Sequence, residues 1–274
     1  MLVSDWLIEA QQILKSARIS TARLDCLVLL EDESGKDRSW LLSHPEHYLQ
    51  GSSFENLNTK ITQRAQHVPL AYIRGKAEFY GREFKVDEHT LVPRPETETM
   101  IELLRGLWDG ATHATQWIIA DIGTGSGAIA ITTKLELPET DVLAVDIDPQ
   151  CVRVAKQNSQ SLRADITVVP GDLLEPLFGM VPAADVLLCN LPYVPDDFQI
   201  NTAATHEPKH AIFGGKDGLD LYRMLFNQLR KLSPKPRYIF AESLPTQHDA
   251  LATIARAAGY SLEKTDDFIQ LFTR

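Results

Sequence analysis

The sequence predicts an α/β protein: an open, parallel, doubly wound sheet preceded by a small helical region. Three observations carry the assignment. Five short apolar runs, at 117–122, 142–145, 166–169, 186–189 and 238–241, have the composition of parallel strands buried on both faces. Helical stretches at 127–136, 149–162, 219–232 and 246–258 separate most of them, a strand-helix-strand rhythm that covers both faces of one sheet. Before residue 74 apolar residues recur at helical spacing.

In chain order, Val3, Trp6, Leu7, Ala10, Ile13 and Leu14 form one stripe at i, i+3, i+4, i+7 spacing. Leu24, Leu27 and Val28 repeat the pattern before Gly35, a third short helix holds Trp40, Leu41 and Leu42, and a fourth runs from Phe54 through Leu57 and Ile61 to Ala65. His44 and His47 flank Pro45 and are expected in a surface loop. Residues 1–73 are thus expected to form a helical substrate-recognition domain whose stripes pack within it, an accessory bundle packed on or tethered to a larger domain, since about 70 residues is marginal as an independent core. Glu78 to Val86 places aromatic and β-branched residues around Gly81, which predicts a hairpin, and 74–90 is expected to join the helical domain to an α/β domain over 91–274.

Composition sets outer limits. The 274 residues are 44% hydrophobic and 23% charged, near globular averages, which excludes a disordered, collagen-like or coiled-coil chain. Twenty-seven basic against 37 acidic residues give a net charge of −10, which repels a phosphate backbone and argues against stable nucleic-acid binding. No apolar run approaches the ~20 residues that span a bilayer, and the first ten residues lack a basic region followed by an apolar core. A soluble, cytoplasmic, monomeric protein away from the membrane is expected. Cys26, Cys151 and Cys189 lie far apart with no C-x-x-C pair, and are expected as buried small hydrophobes rather than metal ligands.

In an open parallel sheet, ligands bind outside the carboxyl ends of the strands, so the residues after each apolar run carry the chemistry. After the first come Gly123, Thr124, Gly125, Ser126 and Gly127, opening a helix whose free N–H groups and permissive glycines let a ligand approach the backbone. After the second comes Asp146, nineteen residues beyond Gly127, where a carboxylate accepts both hydroxyls of a ribose. After the third come Gly171, Asp172 and Leu173, suited to accept an adenine amino hydrogen, and after the fourth Asn190, Leu191, Pro192 and Tyr193. Each feature has a plainer reading. The glycine turn also fits a dinucleotide site, Asp146 and Asp172 could be caps, and Asn190 to Tyr193 could be a tight turn. Four such features on four successive strand ends favour one site.

Here the chain resembles the class I S-adenosylmethionine-dependent methyltransferases, whose motifs lie in this order on a Rossmann-like sheet. Asn190-Leu191-Pro192-Tyr193 is close to the Asn-Pro-Pro-Tyr signature of enzymes that methylate a planar amide or amino nitrogen, with leucine where proline is usual. Phe79-Tyr80-Gly81, the run from Leu91 to Glu98, His206-Glu207-Pro208 and the run from Gly214 to Asp220 are similar to the peptide chain release factor N(5)-glutamine methyltransferases, the HemK/PrmC family. One departure follows Glu242, where Ser243-Leu244-Pro245 lacks an expected glycine.

The resemblance implies S-adenosylmethionine as cofactor, with Gly123 to Gly127 around its methionine part, Asp146 on its ribose, Asp172 and Leu173 by its adenine, and Asn190 beside it. It implies Asn190, Pro192 and Tyr193 as catalytic residues, and a substrate slot formed by Asn190, Leu191, Pro192 and Tyr193 with Arg94, Pro95 and Glu96 as its wall. The substrate it implies is the glutamine of the Gly-Gly-Gln loop in class I release factors. Three other readings stay open at this point: methylation of adenine in nucleic acid or of a ribosomal-protein glutamine, a nucleotide-dependent oxidoreductase, and a non-catalytic binding protein. Pro208 between His206 and His210 argues against a helical metal pair, and Glu96 and Glu98 would complement a helix dipole without any function.

Overall fold

A computed structural model describes residues 1–110, 116–180 and 183–274 and divides them into two units, the first comprising Met1–Lys76 with Ile200–His206, the second Ala77–Gln199 with Glu207–Arg274. In the first unit, α1 (Val3–Ser16), α2 (Ala22–Ser34), α3 (Arg38–Ser43) and α4 (Gly51–Ala65) follow the apolar spacing, and a short α5 (Leu70–Arg74) that the spacing does not predict comes after them. Val3, Trp6, Ala10 and Leu14 turn inward against Leu29, Leu30, Leu57 and Ile61, while Ile13, at the margin of the expected stripe, is exposed, as is Leu24 on α2. The buried Trp6 donates its indole N–H to Asn58 at 3.1 Å, and Arg64 pairs with the buried Asp25 at 2.7 Å, so both polar groups taken into this core have partners. His44 stacks on Trp40 and His47 meets it edge-on.

A hairpin, β1 (Lys76–Phe79) and β2 (Arg82–Lys85), turned by Tyr80 and Gly81, both at positive φ, lies in the second unit from Ala77 onward. It is not a free linker. Phe79 and Phe84 are buried in the core of the second unit, and Asn158 on a later helix brackets the Lys85 backbone, accepting from its N–H at 2.8 Å and donating to its carbonyl at 2.9 Å. The turn is tied down as well: Glu98, at the start of α6 (Glu98–Asp109), accepts the Tyr80 N–H at 2.8 Å.

Beyond α6 come β3 (Ile118–Ile122), α7 (Ala128–Glu136), β4 (Asp141–Asp146), α8 (Pro149–Leu162), β5 (Thr167–Pro170), β6 (Val186–Cys189), α9 (Asp220–Leu229), β7 (Tyr238–Glu242), α10 (His248–Ala257), β8 (Ser261–Asp266) and β9 (Ile269–Thr273). The seven-stranded sheet runs β5-β4-β3-β6-β7-β9-β8, with β3 to β7 parallel and β9 antiparallel to β7 and β8. The terminal antiparallel pair is absent from the sequence expectation. β8 is exposed along its whole length and carries charge, as an unpaired edge requires, so it has no apolar run to announce it. Alternate strand residues serve opposite faces: Ile122, Leu187, Cys189 and Ala241 pack with α9 and α10, whereas Ile119, Leu188 and Phe240 pack with α6 and α7. No helix among the described residues is long and apolar enough to cross a membrane.

Strand order reverses between β3 and β6, since the chain moves outward one way through β4 and β5 and the other way through β6 and β7. The crevice at that switch point is where ligands bind in such sheets. Register lines it up: Ile122 pairs with Val145 on one side and Cys189 on the other, and Cys189 with Ala241. The next residues, Asp146, Gly123, Asn190 and Glu242, therefore stand in a row along the carboxyl edge.

Candidate active site

The glycine loop is folded by hydrogen bonds that leave its outer face free. Gly123 and Thr124 both donate to the Val145 carbonyl at 2.9 Å, and Gly125 donates to Asp146 Oδ2 at 2.8 Å. The left-handed φ values of Gly123, Gly125 and Gly127, +76°, +56° and +82°, explain the spacing of the glycines. Beneath the loop, the buried Asp121 accepts from Thr124 Oγ1 at 2.6 Å and from the Ala130 N–H at 3.1 Å, and burial pushes its carboxyl up to about 7. Asp121 holds the loop to β3 and α7. Sequence reasoning passed over it inside an apolar run, although a carboxylate in a fully buried strand is itself a signal.

A cavity opens above this loop, lined among others by Gly123, Thr124, Gly125, Ser126, Asp146, Asp172, Leu173, Asn190, Leu191, Pro192, Arg94 and Thr97. Gly127 lies outside it. A Cβ there would stand 3.0 Å from Ile131 and 3.1 Å from Ala155, so that glycine serves the packing of α7 on α8. Asp146 does not cap α8: Asp148 does, accepting the Gln150 N–H at 2.8 Å, while Asp146 accepts from Asp148 N through its other oxygen at 2.9 Å. Burial raises the Asp146 carboxyl, and its two backbone donors oppose that. Leu173 holds a left-handed φ of +51° on the cavity wall, an arrangement uncommon for a branched side chain. His210 lines the cavity beside Asp148, 3.7 Å away, an approach the sequence did not suggest.

Asn190 follows β6 and donates its Nδ2 hydrogen to Thr97 Oγ1 at 3.0 Å. Leu191 is buried, its Cδ2 standing 3.0 Å from where a Cβ on Gly123 would lie, so the leucine braces the glycine loop. Pro192 lines the cavity, whereas Tyr193 points behind it and donates its hydroxyl to Glu242 Oε1 at 3.0 Å. The backbone of this motif is buttressed: Gln247 donates to the Tyr193 and Asp217 carbonyls, both at 2.7 Å, and a Cβ on Gly218 would fall 2.0 Å from the Tyr193 carbonyl oxygen.

Of the three residues expected as slot wall, Arg94 reaches the cavity, while Pro95 and Glu96 are exposed at the start of the short 3-10 turn Pro95–Thr97. The Arg94 guanidinium pairs with the buried Glu207 at 2.6 Å, and Glu207 also accepts the Val92 N–H at 3.0 Å. Two segments distant in sequence, around Arg94 and Glu207, thus form one wall. No group of acidic, histidine or cysteine side chains among the described residues could hold a metal ion. The three cysteines are buried and free, and burial raises their thiols.

The cavity suits a nucleoside-bearing cofactor. A Cβ on Gly125 would meet nothing within 4 Å, so a ligand can lie directly on the loop backbone, with the buried Asp146 carboxylate beside it. Sheet order, glycine loop and the asparagine motif define a class I S-adenosylmethionine-dependent methyltransferase. Residues 104–208 match the methyltransferase small domain, residues 5–75 match the PrmC N-terminal domain, and the N-terminal domain of human METTL16 in complex with SAH shares the fold at a TM-score of 0.53 and 16% identity, over 90% of this chain and 92% of that one.

Two relatives narrow this further. The release factor glutamine methyltransferase of Enterococcus faecalis is 36% identical over 234 residues, 84% of this chain and 82% of its own length, and that of Clostridium acetobutylicum is 30% identical over 277 residues, covering 99% and 96%. The chain belongs to the release factor glutamine methyltransferase family.

Proposed function

We propose that this protein transfers a methyl group from S-adenosylmethionine to the side-chain amide nitrogen of the glutamine in the Gly-Gly-Gln loop of class I peptide chain release factors. The observation that carries this reading is the orientation of Asn190. Its Nδ2 is committed to Thr97, which leaves Oδ1 as the acceptor it offers to the cavity.

An amide nitrogen is a poor nucleophile because its lone pair is delocalised into the carbonyl. Asn190 Oδ1 and a backbone carbonyl of the following residues accept its two hydrogens, aim the nitrogen and stabilise the positive charge that develops on it. When bound, S-adenosylmethionine supplies an electrophilic methyl on a sulfonium that leaves as a neutral thioether. Asp146 would hold the ribose, Asp172 and Leu173 the adenine, and the Gly123–Ser126 backbone the methionine part, while Pro192 confines the amide plane, Tyr193 supports the motif from behind through Glu242, and Arg94 lines the approach. The proton departs to solvent after methyl transfer. Residues 1–73 are assigned the recognition of the release factor outside the reacting loop, and the net charge of −10 disfavours a nucleic-acid substrate.

The test is incubation with labelled S-adenosylmethionine and class I release factors, with the modified residue mapped by mass. Label on the Gly-Gly-Gln glutamine is expected. Label confined to adenine in nucleic acid or to a ribosomal-protein glutamine would overturn the substrate.

A further inference from the structure

A primary amide is nearly symmetric in shape, so Asn190 could present either Oδ1 or Nδ2 to the cavity, and only Oδ1 can accept a hydrogen from a substrate amide. Something beneath it must choose. Thr97 is buried with 2% exposure, and its Oγ1 accepts from Asn190 Nδ2 at 3.0 Å. A hydroxyl that accepts in this way has its own hydrogen to place. The neighbouring group is Glu242, 1% exposed, which stands next to Asn190 because β7 and β6 pair in register. Tyr193 donates to its Oε1 at 3.0 Å, Oε2 is buried with no hydrogen-bond partner, and Thr97 and Asn190 are the other polar neighbours that favour its charged form.

An ionised carboxylate can only accept. With Glu242 charged, Tyr193 and Thr97 must both point their hydroxyl hydrogens at it, Thr97 then has only lone pairs left for Asn190, and Asn190 must turn Nδ2 inward. We propose that Thr97 and Glu242 are positioning residues that fix the hydrogen-bond polarity of Asn190, so that its Oδ1 faces the amino hydrogens of the methyl acceptor. The inference rests on the methyl-transfer reading above and adds the two residues that make the slot directional. A protonated Glu242 could donate as well as accept, and the direction of the chain would no longer be forced. Burial pushes this carboxyl up to about 7, with Glu96 raising it further and Thr97, Tyr193 and Asn190 opposing. Tyr222 also faces it and Arg94 lies beyond Tyr193.

The test compares Thr97→Val, Thr97→Ser and Glu242→Gln with the parent in the full-length protein, reading single-turnover transfer, KM for the release factor, and cofactor affinity by calorimetry. Thr97→Val keeps the shape and removes the hydroxyl. It should lower the transfer rate about 10- to 100-fold while KM and cofactor affinity stay within about threefold, and Thr97→Ser should restore most of the rate. In the parent the rate should fall as pH drops through about 7, and Glu242→Gln should be slow at every pH with that step lost. Parental rates in Thr97→Val, or Thr97→Ser as slow as Thr97→Val, would overturn the proposal. Should Thr97→Val fail to fold, Glu242→Gln decides alone: an unchanged rate and pH profile overturns it. A parent that labels adenine rather than glutamine sinks the substrate reading but not this one, because an adenine amino group presents the same two hydrogens to Asn190 and the same variants can be run on it.

Discussion

Under the proposed reading, individual side chains divide into those that touch ligand and those that hold them. Asp146 is assigned to the first kind, and removing its charge-assisted bonds in Asp146→Ala should weaken S-adenosylmethionine by about 1.5–3 kcal/mol, measured by calorimetry. Part of that loss comes from the glycine loop, because the same carboxylate accepts the Gly125 N–H. Asn190→Ala should cost on the order of 10²-fold in turnover and much less in cofactor affinity, since its partner is the acceptor amide. Asp121 and Glu242 are costly to bury. Each carboxyl sits near 7 in the folded protein against 3.8 and 4.5 ordinarily, so between those values the folded state binds more protons than the unfolded chain. Stability from these groups therefore falls as pH rises through that window and is level above it. Glu242→Gln should lessen the loss between pH 5 and pH 8 by about 1–3 kcal/mol in urea melts, even though it slows methyl transfer. An unchanged difference would remove burial of Glu242 as a cause.

At the level of elements, the carboxyl edge of the sheet works because neighbouring turns brace one another. Gly125 and Gly218 separate two requirements. Alanine at Gly125 meets open cavity but a left-handed φ, so Gly125→Ala should weaken cofactor binding by straining the loop and occupying its approach, with little effect on the core. Gly218 also has a left-handed φ, of +78°, and a Cβ there would run into the Tyr193 carbonyl. Gly218→Ala should displace the asparagine motif and abolish transfer while cofactor affinity, set mainly by the strand ends of β3 and β4, falls less. Equal loss of both functions in Gly218→Ala would argue against this division. The Asn158 side chain, which also donates to the Ser126 carbonyl at 2.8 Å, joins the hairpin to the loop, so β1 and β2 are part of the site's scaffold.

For the whole molecule, the informative feature is where the chain goes between Gln199 and Glu207. Residues 200–206 follow the asparagine motif in sequence yet belong to the helical unit, with His206 Nε2 hydrogen-bonded to the Gln66 carbonyl at 3.1 Å. Deleting residues 1–73 removes that carbonyl along with the helices. Cofactor binding should survive the deletion, whereas methylation of an intact release factor should fall sharply. Full-rate modification by the truncated protein would show that the helical unit is only scaffold. Solubility of the truncated protein is the control for this experiment.

The sequence alone determined the parallel strands, the helices between them and the residues at four strand ends, because burial on both sheet faces demands apolar runs and ligand chemistry interrupts them with glycine and carboxylate. It was mute on the hairpin of β8 and β9, because the exposed, charged β8 has no apolar run and β9 is placed by its pairing with β7 some thirty residues earlier. It placed Asp146 on a strand end but could not tell it from a cap; only the fold assigned capping to Asp148. It singled out Leu191 as a departure, and packing turned that residue into a brace for Gly123. Glu242 closes the apolar run of β7 as Asp146 closes that of β4, so the strand-end rule was there to find it. What made it matter was register, which sets it beside Asn190, together with the approach of Thr97 from a segment over ninety residues away. Periodicity reports which face of an element is buried, but the direction of a hydrogen bond depends on neighbours that only the folded chain brings together.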